Sequence, residues 1–131
     1  RIMMQWMNIL SRILGIKVDI RGIPDQSANL FVSNHVTYLD IIIINKLLPV
    51  NFIAKEEISS WPVIGRLASK TGTLFIKRGD NVESSKMIYE MQERFKLQNK
   101  IVFFPEGKIG NGKRVRKFHY KLFKSIENKE L

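Results

Sequence analysis

Short apolar segments alternate along this 131-residue chain with segments of helical periodicity. The apolar segments are predicted strands, and they lie at residues 17–21, 29–33, 51–54, 73–77 and 100–104. Helical patterns cover residues 1–15, 39–48, 56–70 (interrupted at Trp61-Pro62) and 81–98, and a further helix is predicted from 120 to 126. Strands that alternate with helices favour an α/β layered fold, with a sheet of about five or more strands flanked by helices.

The first 15 residues form a predicted amphipathic N-terminal helix that ends at Gly15. Two placements fit this helix equally well: its apolar side can pack on the core, or it can lie among lipid headgroups with Trp6 at the interface. No apolar run approaches the roughly 20 residues needed to cross a bilayer. The length of the chain fits a single domain over residues 1–131.

The net charge of +10 is unevenly distributed. Residues 108–131 hold eight basic and two acidic side chains, and 107–117 form a glycine-rich basic loop. A basic surface attracts nucleic acid, anionic lipid or phosphorylated ligands without distinguishing among them. The chain has no cysteine, which excludes disulfides, thiolate metal sites and cysteine nucleophiles. The two histidines, His35 and His119, are far apart in sequence, so metal-ligand spacing is absent.

The first candidate site is the pair His35 and Asp40, which follows the predicted strand 29–33. Five residues can fold back through one turn, so Asp40 can reach the imidazole and fix its tautomer. The other ring nitrogen is then free to take a proton from a hydroxyl. A surface histidine followed by an aspartate at a helix start would give the same spacing.

Two further segments place chemistry at strand ends. Lys77 and Arg78 follow one strand, and arginine can hold a phosphate through two parallel hydrogen bonds. Glu106 and Gly107 follow another strand after Pro105, where the carboxylate can accept hydrogen bonds from ligand hydroxyls or from backbone amides. Taken singly, each segment is also compatible with a solvated strand end or an ordinary strand-to-turn exit.

The three segments in this order resemble the glycerolipid acyltransferase family, which includes the 1-acylglycerol-3-phosphate acyltransferases. The resemblance lies in Asn34-His35-x4-Asp40, Gly72-x-x-Phe75-Ile76-x-Arg78 and Phe104-Pro105-Glu106-Gly107, and it covers roughly residues 12–124. It implies acyl transfer from acyl-CoA or acyl-carrier protein to the free hydroxyl of a lysophospholipid, with 1-acylglycerol-3-phosphate as the expected acceptor. It implies no metal and no organic cofactor.

The resemblance also implies roles for single residues. His35 is the implied general base, and Asp40 orients and polarises it. Arg78 is the implied ligand of the acceptor phosphate, with help from Lys55. The remaining implied substrate-binding residues are Thr37 in the first motif and Glu106, Gly107 and Lys108 in the third.

Two departures from the family pattern bear on activity. The third motif usually continues with threonine, arginine or threonine, and serine, whereas this chain has Lys108, Ile109 and Gly110. Lys108 keeps the positive charge of an arginine but not its fork geometry. The fourth family motif is expected beyond residue 124 and is absent, so the resemblance implies a domain truncated at its C-terminus.

Three functions follow from these patterns. The first is an acyltransferase held peripherally at the cytoplasmic face of a membrane by the basic tail and the N-terminal helix. The second is a catalytically impaired relative that only binds lipid, because the third motif is altered. The third is a nucleic-acid-binding protein, based on the run from Lys113 to Lys117. Few aromatic residues accompany that run, which disfavours stacking on bases, so we expect no nucleic-acid partner.

Overall fold

The computed structural model describes residues 2–77, 81–118 and 123. The helices are α1 (Ile2–Ile13), α2 (Leu39–Leu47), α3 (Ile64–Lys70) and α4 (Asn81–Lys96), and a 3₁₀ helix covers Glu56–Ser60. The strands are β1 (Leu30–Val32), β2 (Asn51–Lys55), β3 (Leu74–Ile76) and β4 (Ile101–Phe103). The α/β fold predicted from the sequence is confirmed.

The four described strands form one parallel sheet in the order β1-β4-β2-β3. Leu30 pairs with Ile101 at one side of the sheet, and Lys55 pairs with Ile76 at the other. Because every pair is parallel, the carboxyl ends of all four strands lie along the same edge. Open α/β sheets bind their ligands at this edge, and each of the three motifs either follows a strand there or runs through one.

The core lies on both sides of β4, whose residues Ile101, Val102 and Phe103 are all buried. Met87 and Met91 from α4 pack with Ile101 on one side of the sheet. Phe52 packs with Val102 on the other side. A parallel strand covered on both faces reads as a continuous apolar run, which is why residues 100–104 stand out in the sequence.

Helix α1 packs against α2. Its buried residue is Ser11, whose hydroxyl donates a hydrogen bond to the carbonyl of Asn8. An apolar stripe of α1, formed by Ile2, Trp6, Ile9 and Ile13, faces away, with exposed fractions between 49% and 76%. Across residues 2–77 and 81–118, no helix combines the length and apolar character needed to cross a membrane.

The predicted strand at 17–21 is wrong. Residues 16–21 have no regular secondary structure, and the sheet in the described part of the chain has four strands rather than five or more. The alternation of Val18 with charged neighbours resembles a strand, but the segment has no hydrogen-bonded partner strand. A strand is stabilised by the side chains of neighbouring strands. An alternating sequence without such a neighbour therefore does not form a strand.

The predicted helix over 56–70 is divided as expected at Trp61-Pro62, but its first part is a 3₁₀ helix. Val63 joins the two parts with φ 64° and ψ −60°, and the amide of Ile64 donates to the carbonyl of Pro62 at 2.7 Å. Gly65 is required next to this turn, because an added Cβ would lie 2.2 Å from the carbonyl oxygen of Ser59. The helix predicted over 120–126 lies outside the described residues, apart from Phe123.

Candidate active site

The carboxylate of Asp40 is the centre of the loop between β1 and α2. One of its oxygens, Oδ2, lies 2.9 Å from Nδ1 of His35. The same oxygen accepts hydrogen bonds from the backbone amides of Val36 (2.8 Å) and Thr37 (3.1 Å). The five-residue spacing therefore closes as the sequence predicts, and the loop that carries the histidine wraps around the carboxylate.

The imidazole of His35 rests on the ring of Phe104. Their centroids are 4.1 Å apart and the rings are inclined by 14°, which is a stacked arrangement. Phe104 in turn stacks on Phe52 of the core at 6.0 Å. Sequence reasoning missed this role of Phe104. The signal available in the sequence was an aromatic residue at the end of the predicted strand 100–104. That this strand lies beside β1 is known only from the structure.

Glu106 holds the backbone of the same histidine. Its side chain is 4% exposed, and its Oε1 accepts the amide N–H of His35 at 3.3 Å. Its Oε2 accepts the amide N–H of Arg116 at 2.9 Å. The carbonyl of His35 accepts the N–H of Gly110 at 2.5 Å. Of the two partners that the sequence allows for Glu106, the structure thus gives backbone amides.

A cavity of about 200 Å³ opens beside these groups. Its lining includes His35 with its neighbours Asn34 and Val36, the carboxylate residue Glu106, and five residues of the glycine-rich basic loop: Gly110, Gly112, Lys113, Arg114 and Val115. The sequence predicted the basic loop but did not place it against the histidine. That contact depends on the pairing of β1 with β4, which are about 70 residues apart in the chain.

This arrangement suits proton transfer at a hydroxyl. The Asp40 carboxylate at Nδ1 fixes the tautomer that has its lone pair on Nε2, and it stabilises the imidazolium that forms when Nε2 takes a proton. No described residue forms a hydrogen bond with Nε2, and the ring borders the cavity. The side chains of His35 and Asp40 are 14% and 19% exposed, so the pair is mostly shielded from solvent.

Comparison with known proteins identifies the family of this chain. The sequence model of the acyltransferase family matches residues 16–129. The chain belongs to the acyltransferase family. The His35–Asp40 pair, the four strands and the third motif all lie within the matched range.

The curated relatives of this chain carry two kinds of name. The chain is 36% identical to a lyso-ornithine lipid O-acyltransferase of Pseudomonas aeruginosa, over 92% of this chain and 46% of the relative. It is 38% identical to a lyso-ornithine lipid O-acyltransferase of Rhodobacter capsulatus, over 85% of this chain and 40% of the relative. It is 32% identical to a 1-acyl-sn-glycerol-3-phosphate acyltransferase of Neisseria gonorrhoeae, over 86% and 44%. The chain thus spans less than half the length of these relatives, and no solved structure matches it.

The other predicted substrate-binding residues that the structure describes do not line the cavity beside His35. The hydroxyl of Thr37 accepts the N–H of Leu39 at 3.3 Å, and Thr37 does not line the described cavity. Lys55 ends β2, beside the carboxyl end of β3, with a half-buried side chain. Gly107 has φ 64°, and Lys108 is exposed. Arg78, the predicted phosphate ligand, lies outside the described residues.

The rim of the site has an apolar side. Val36 and Tyr38 flank the histidine and are 38% and 58% exposed. The ring of Tyr38 lies 6.4 Å from the imidazole and 6.2 Å from the ring of Trp61, which is itself 39% exposed. A histidine–aspartate pair with cations on one side and exposed aromatic rings on the other fits a ligand that is polar at one end and apolar at the other.

Proposed function

We propose that this protein transfers a fatty acyl group from a thioester donor, acyl-CoA or acyl-carrier protein, to the free hydroxyl of a lysolipid. The observation that carries the proposal is the His35–Asp40 pair, held at 2.9 Å at the carboxyl edge of the sheet in a chain of the acyltransferase family. The supporting observation is the mixed basic and aromatic rim around that pair.

The proposed reaction is a direct transfer. Nε2 of His35 takes the proton of the acceptor hydroxyl while the oxygen attacks the thioester carbonyl, and Asp40 stabilises the imidazolium. The C–S bond then breaks, the acyl group stays on the acceptor oxygen as an ester, and the sulfur leaves as a thiol with the proton from His35. No acyl-enzyme forms, and the proposed reaction uses neither a metal nor an organic cofactor.

Two acceptors are consistent with the names of the relatives. The first is 1-acylglycerol-3-phosphate, whose phosphate Arg78 and Lys55 would bind, while Thr37, Gly107 and Lys108 would line the acceptor side. The second is lyso-ornithine lipid, the acceptor in the names of the relatives from Pseudomonas and Rhodobacter. The lysine in place of the family's threonine at residue 108 changes the acceptor side, and it makes the choice between the two an experimental one.

We place the enzyme on the cytoplasmic face of a membrane as a peripheral protein. The stripe of Ile2, Trp6, Ile9 and Ile13 supports this location, because an exposed apolar stripe on an amphipathic helix suits the headgroup region. The net charge of +10 supports binding to anionic lipid.

Thiol release with a panel of acceptors tests the function. Acyl-CoA and acyl-carrier protein are each incubated with the protein alone, with 1-acylglycerol-3-phosphate and with lyso-ornithine lipid, and the acylated product is identified by mass spectrometry. Release that requires one of the two acceptors supports the proposal and identifies the acceptor. Release at the same rate without acceptor, which would be thioester hydrolysis, contradicts it.

The second candidate function is lipid binding without turnover, and the altered third motif favours it. Gly110 replaces the family's serine, and a Cβ at this position would lie 3.3 Å from the His35 carbonyl oxygen and 3.5 Å from Oε2 of Glu106. Binding of a lysolipid with no acceptor-dependent thiol release from either donor, and with the same affinity after His35→Ala, would establish this alternative.

A further inference from the structure

We propose that the second part of the basic loop, residues 111–117, binds the phosphate of the phosphopantetheine arm that carries the acyl group. This inference rests on the proposed function and names its donor subsite. Acyl-CoA and acyl-carrier protein share this arm, so the loop would serve either donor.

The first argument is the charge of the basic loop. Lys113, Arg114, Arg116 and Lys117 stand within five positions, and all four are exposed. In the part of the chain that the structure describes, none of the four forms an ion pair with a carboxylate. The nearby carboxylate of Glu106 is buried and is used by backbone amides. The four cations are therefore available to a ligand, and arginine suits a phosphate in particular.

The second argument is the shape of the surface. A groove of about 480 Å³ is lined by Asn111, Arg114, Val115, Arg116 and Lys117. Arg114 and Val115 also line the cavity that contains His35. The groove and the catalytic cavity are thus neighbours across a shared wall. A donor whose thioester lies at the histidine can extend its arm past this wall, so that its phosphate meets the cations.

The third argument is the attachment of the loop to the catalytic histidine. Within the loop, the Gly110 amide donates to the carbonyl of His35, and the Arg116 amide donates to Glu106. The same Glu106 side chain accepts the amide of His35. These hydrogen bonds fix the backbone of the basic loop relative to the imidazole, and such preorganisation lowers the free-energy cost of binding. Attraction to a flat membrane requires neither a groove nor this attachment, so the donor is the favoured ligand.

The fourth argument separates the donor from the acceptor. The proposed ligands of the acceptor phosphate are Lys55, which ends β2, and Arg78, which follows β3 in the sequence. The basic loop follows β4, which lies beside β1 and its histidine. The two strands β2 and β3 form one side of the sheet, and β1 and β4 form the other. The basic loop and the proposed ligands of the acceptor phosphate therefore follow different strands of the sheet, so the donor and the acceptor can bind at separate positions along its carboxyl edge.

Calorimetric titration of the full chain tests the donor site without requiring turnover. The probes are coenzyme A, holo-acyl-carrier protein, and pantetheine, which has the same arm without the phosphate. We expect coenzyme A or the carrier protein to bind the parent. The triple variant R114Q/R116Q/K117Q should bind the same probe at least about tenfold more weakly. Pantetheine should bind both proteins equally. The probe that binds more tightly identifies the source of the arm.

The matched control is K17Q/K46Q/K70Q, which removes the same charge from positions outside the basic loop and the cavity linings. It should bind the probes as the parent does. Equal binding by the loop variant and the parent would overturn the inference, and so would a parent that binds neither coenzyme A nor carrier protein. A loop variant that loses only affinity for anionic vesicles, or only affinity for 1-acylglycerol-3-phosphate, would also overturn it. Donor binding without acyl transfer would sink the proposed function and leave this inference standing.

Discussion

At the scale of single residues, four neighbours fix the geometry of His35. Asp40 holds Nδ1, and Phe104 lies under the ring. Glu106 and Gly110 hold the backbone amide and carbonyl. The proposed general base must be aligned with the hydroxyl that it deprotonates, and these four contacts fix the tautomer, the ring plane and the backbone of His35.

Replacement of Asp40 tests the fixed tautomer. Asp40→Asn removes the negative charge that stabilises the imidazolium and allows the wrong tautomer, so the rate of acyl transfer should fall by about 10²- to 10⁴-fold. Acceptor-dependent thiol release measures the effect. Asp19→Asn is the control, because Asp19 is exposed and pairs with Arg21. A parent-like rate in Asp40→Asn would show that the carboxylate does not assist the base.

Replacement of Phe104 tests the support under the ring. Phe104→Leu keeps an apolar side chain but removes the stacked surface, so the imidazole should sample more orientations. We expect kcat to fall about ten- to a hundredfold while the KM of the acceptor changes little. Phe31→Leu serves as the control in the same apolar cluster. Equal losses of kcat in the two variants would assign Phe104 to the core alone.

The contacts of Asp40 were predictable from the sequence, and those of Phe104 and Glu106 were not. His35 and Asp40 are five residues apart, so a single turn decides whether they meet. The contact between His35 and Glu106 joins residues 71 positions apart, and it exists because β1 lies beside β4 in the sheet. A single sequence contains the strands but not their order.

At the scale of secondary-structure elements, the parallel strands gather the loops, and the connections between them hold local strain. Val63 is the clearest case. Its φ of 64° and ψ of −60° describe a three-residue turn that is rare for any residue and unfavourable for a β-branched one. The turn allows α3 to begin at Ile64, directly after Val63.

Relief of this strain should stabilise the fold. Val63→Gly replaces a β-branched residue in a positive-φ turn, and we expect the free energy of unfolding to rise by about 1 kcal/mol. Val115→Gly is the control, since Val115 is similarly exposed but does not have a positive φ. It should leave the stability unchanged or lower it. Denaturant unfolding measures both variants, and a lower midpoint for Val63→Gly would show that the valine side chain contributes packing that outweighs the strain.

Element type followed from the sequence wherever burial agreed with the pattern. The run that became β4 supplies Ile101 to one core cluster and Val102 to the other, and the run that became β2 supplies Phe52 to the second. The segment 17–21 has the alternation of a strand, but Ile20 is 56% exposed and the segment joins no sheet. Alternation of apolar and polar residues indicates only that one face of a segment is apolar. A strand also requires a hydrogen-bonded neighbouring strand, and no local pattern shows whether one is available.

At the scale of the whole molecule, the exposed stripe of α1 and the net charge of +10 support the proposed location on an anionic membrane. A lysolipid acceptor resides in or near such a surface. The sequence predicted the helix and the charge. It left open whether the apolar side of the helix is buried, and the structure shows Trp6 at 66% exposure.

Vesicle binding tests this orientation. Trp6→Ser with Ile13→Ser removes two exposed apolar side chains, each of which contributes about 1.5 kcal/mol or more when fully buried, so partitioning onto anionic vesicles should weaken at least about tenfold. The control is Tyr89→Ser with Leu97→Ser, which removes comparable exposed apolar side chains from α4 and the residue after it. High salt should weaken the binding of all three proteins. Equal partitioning by the two double variants would remove α1 as the membrane contact.

Acyl transfer itself is tested most directly by thiol release from acyl-CoA and acyl-carrier protein in the presence of a lysolipid, with the parent compared with His35→Ala. The parent should release thiol only when acceptor is present, and it should form one acylated lipid for each thiol released. His35→Ala should lose at least about 10³-fold of that rate, since the hydroxyl then has no base. An equal rate in His35→Ala, or release that does not depend on the acceptor, would contradict the proposed role of the His35–Asp40 pair.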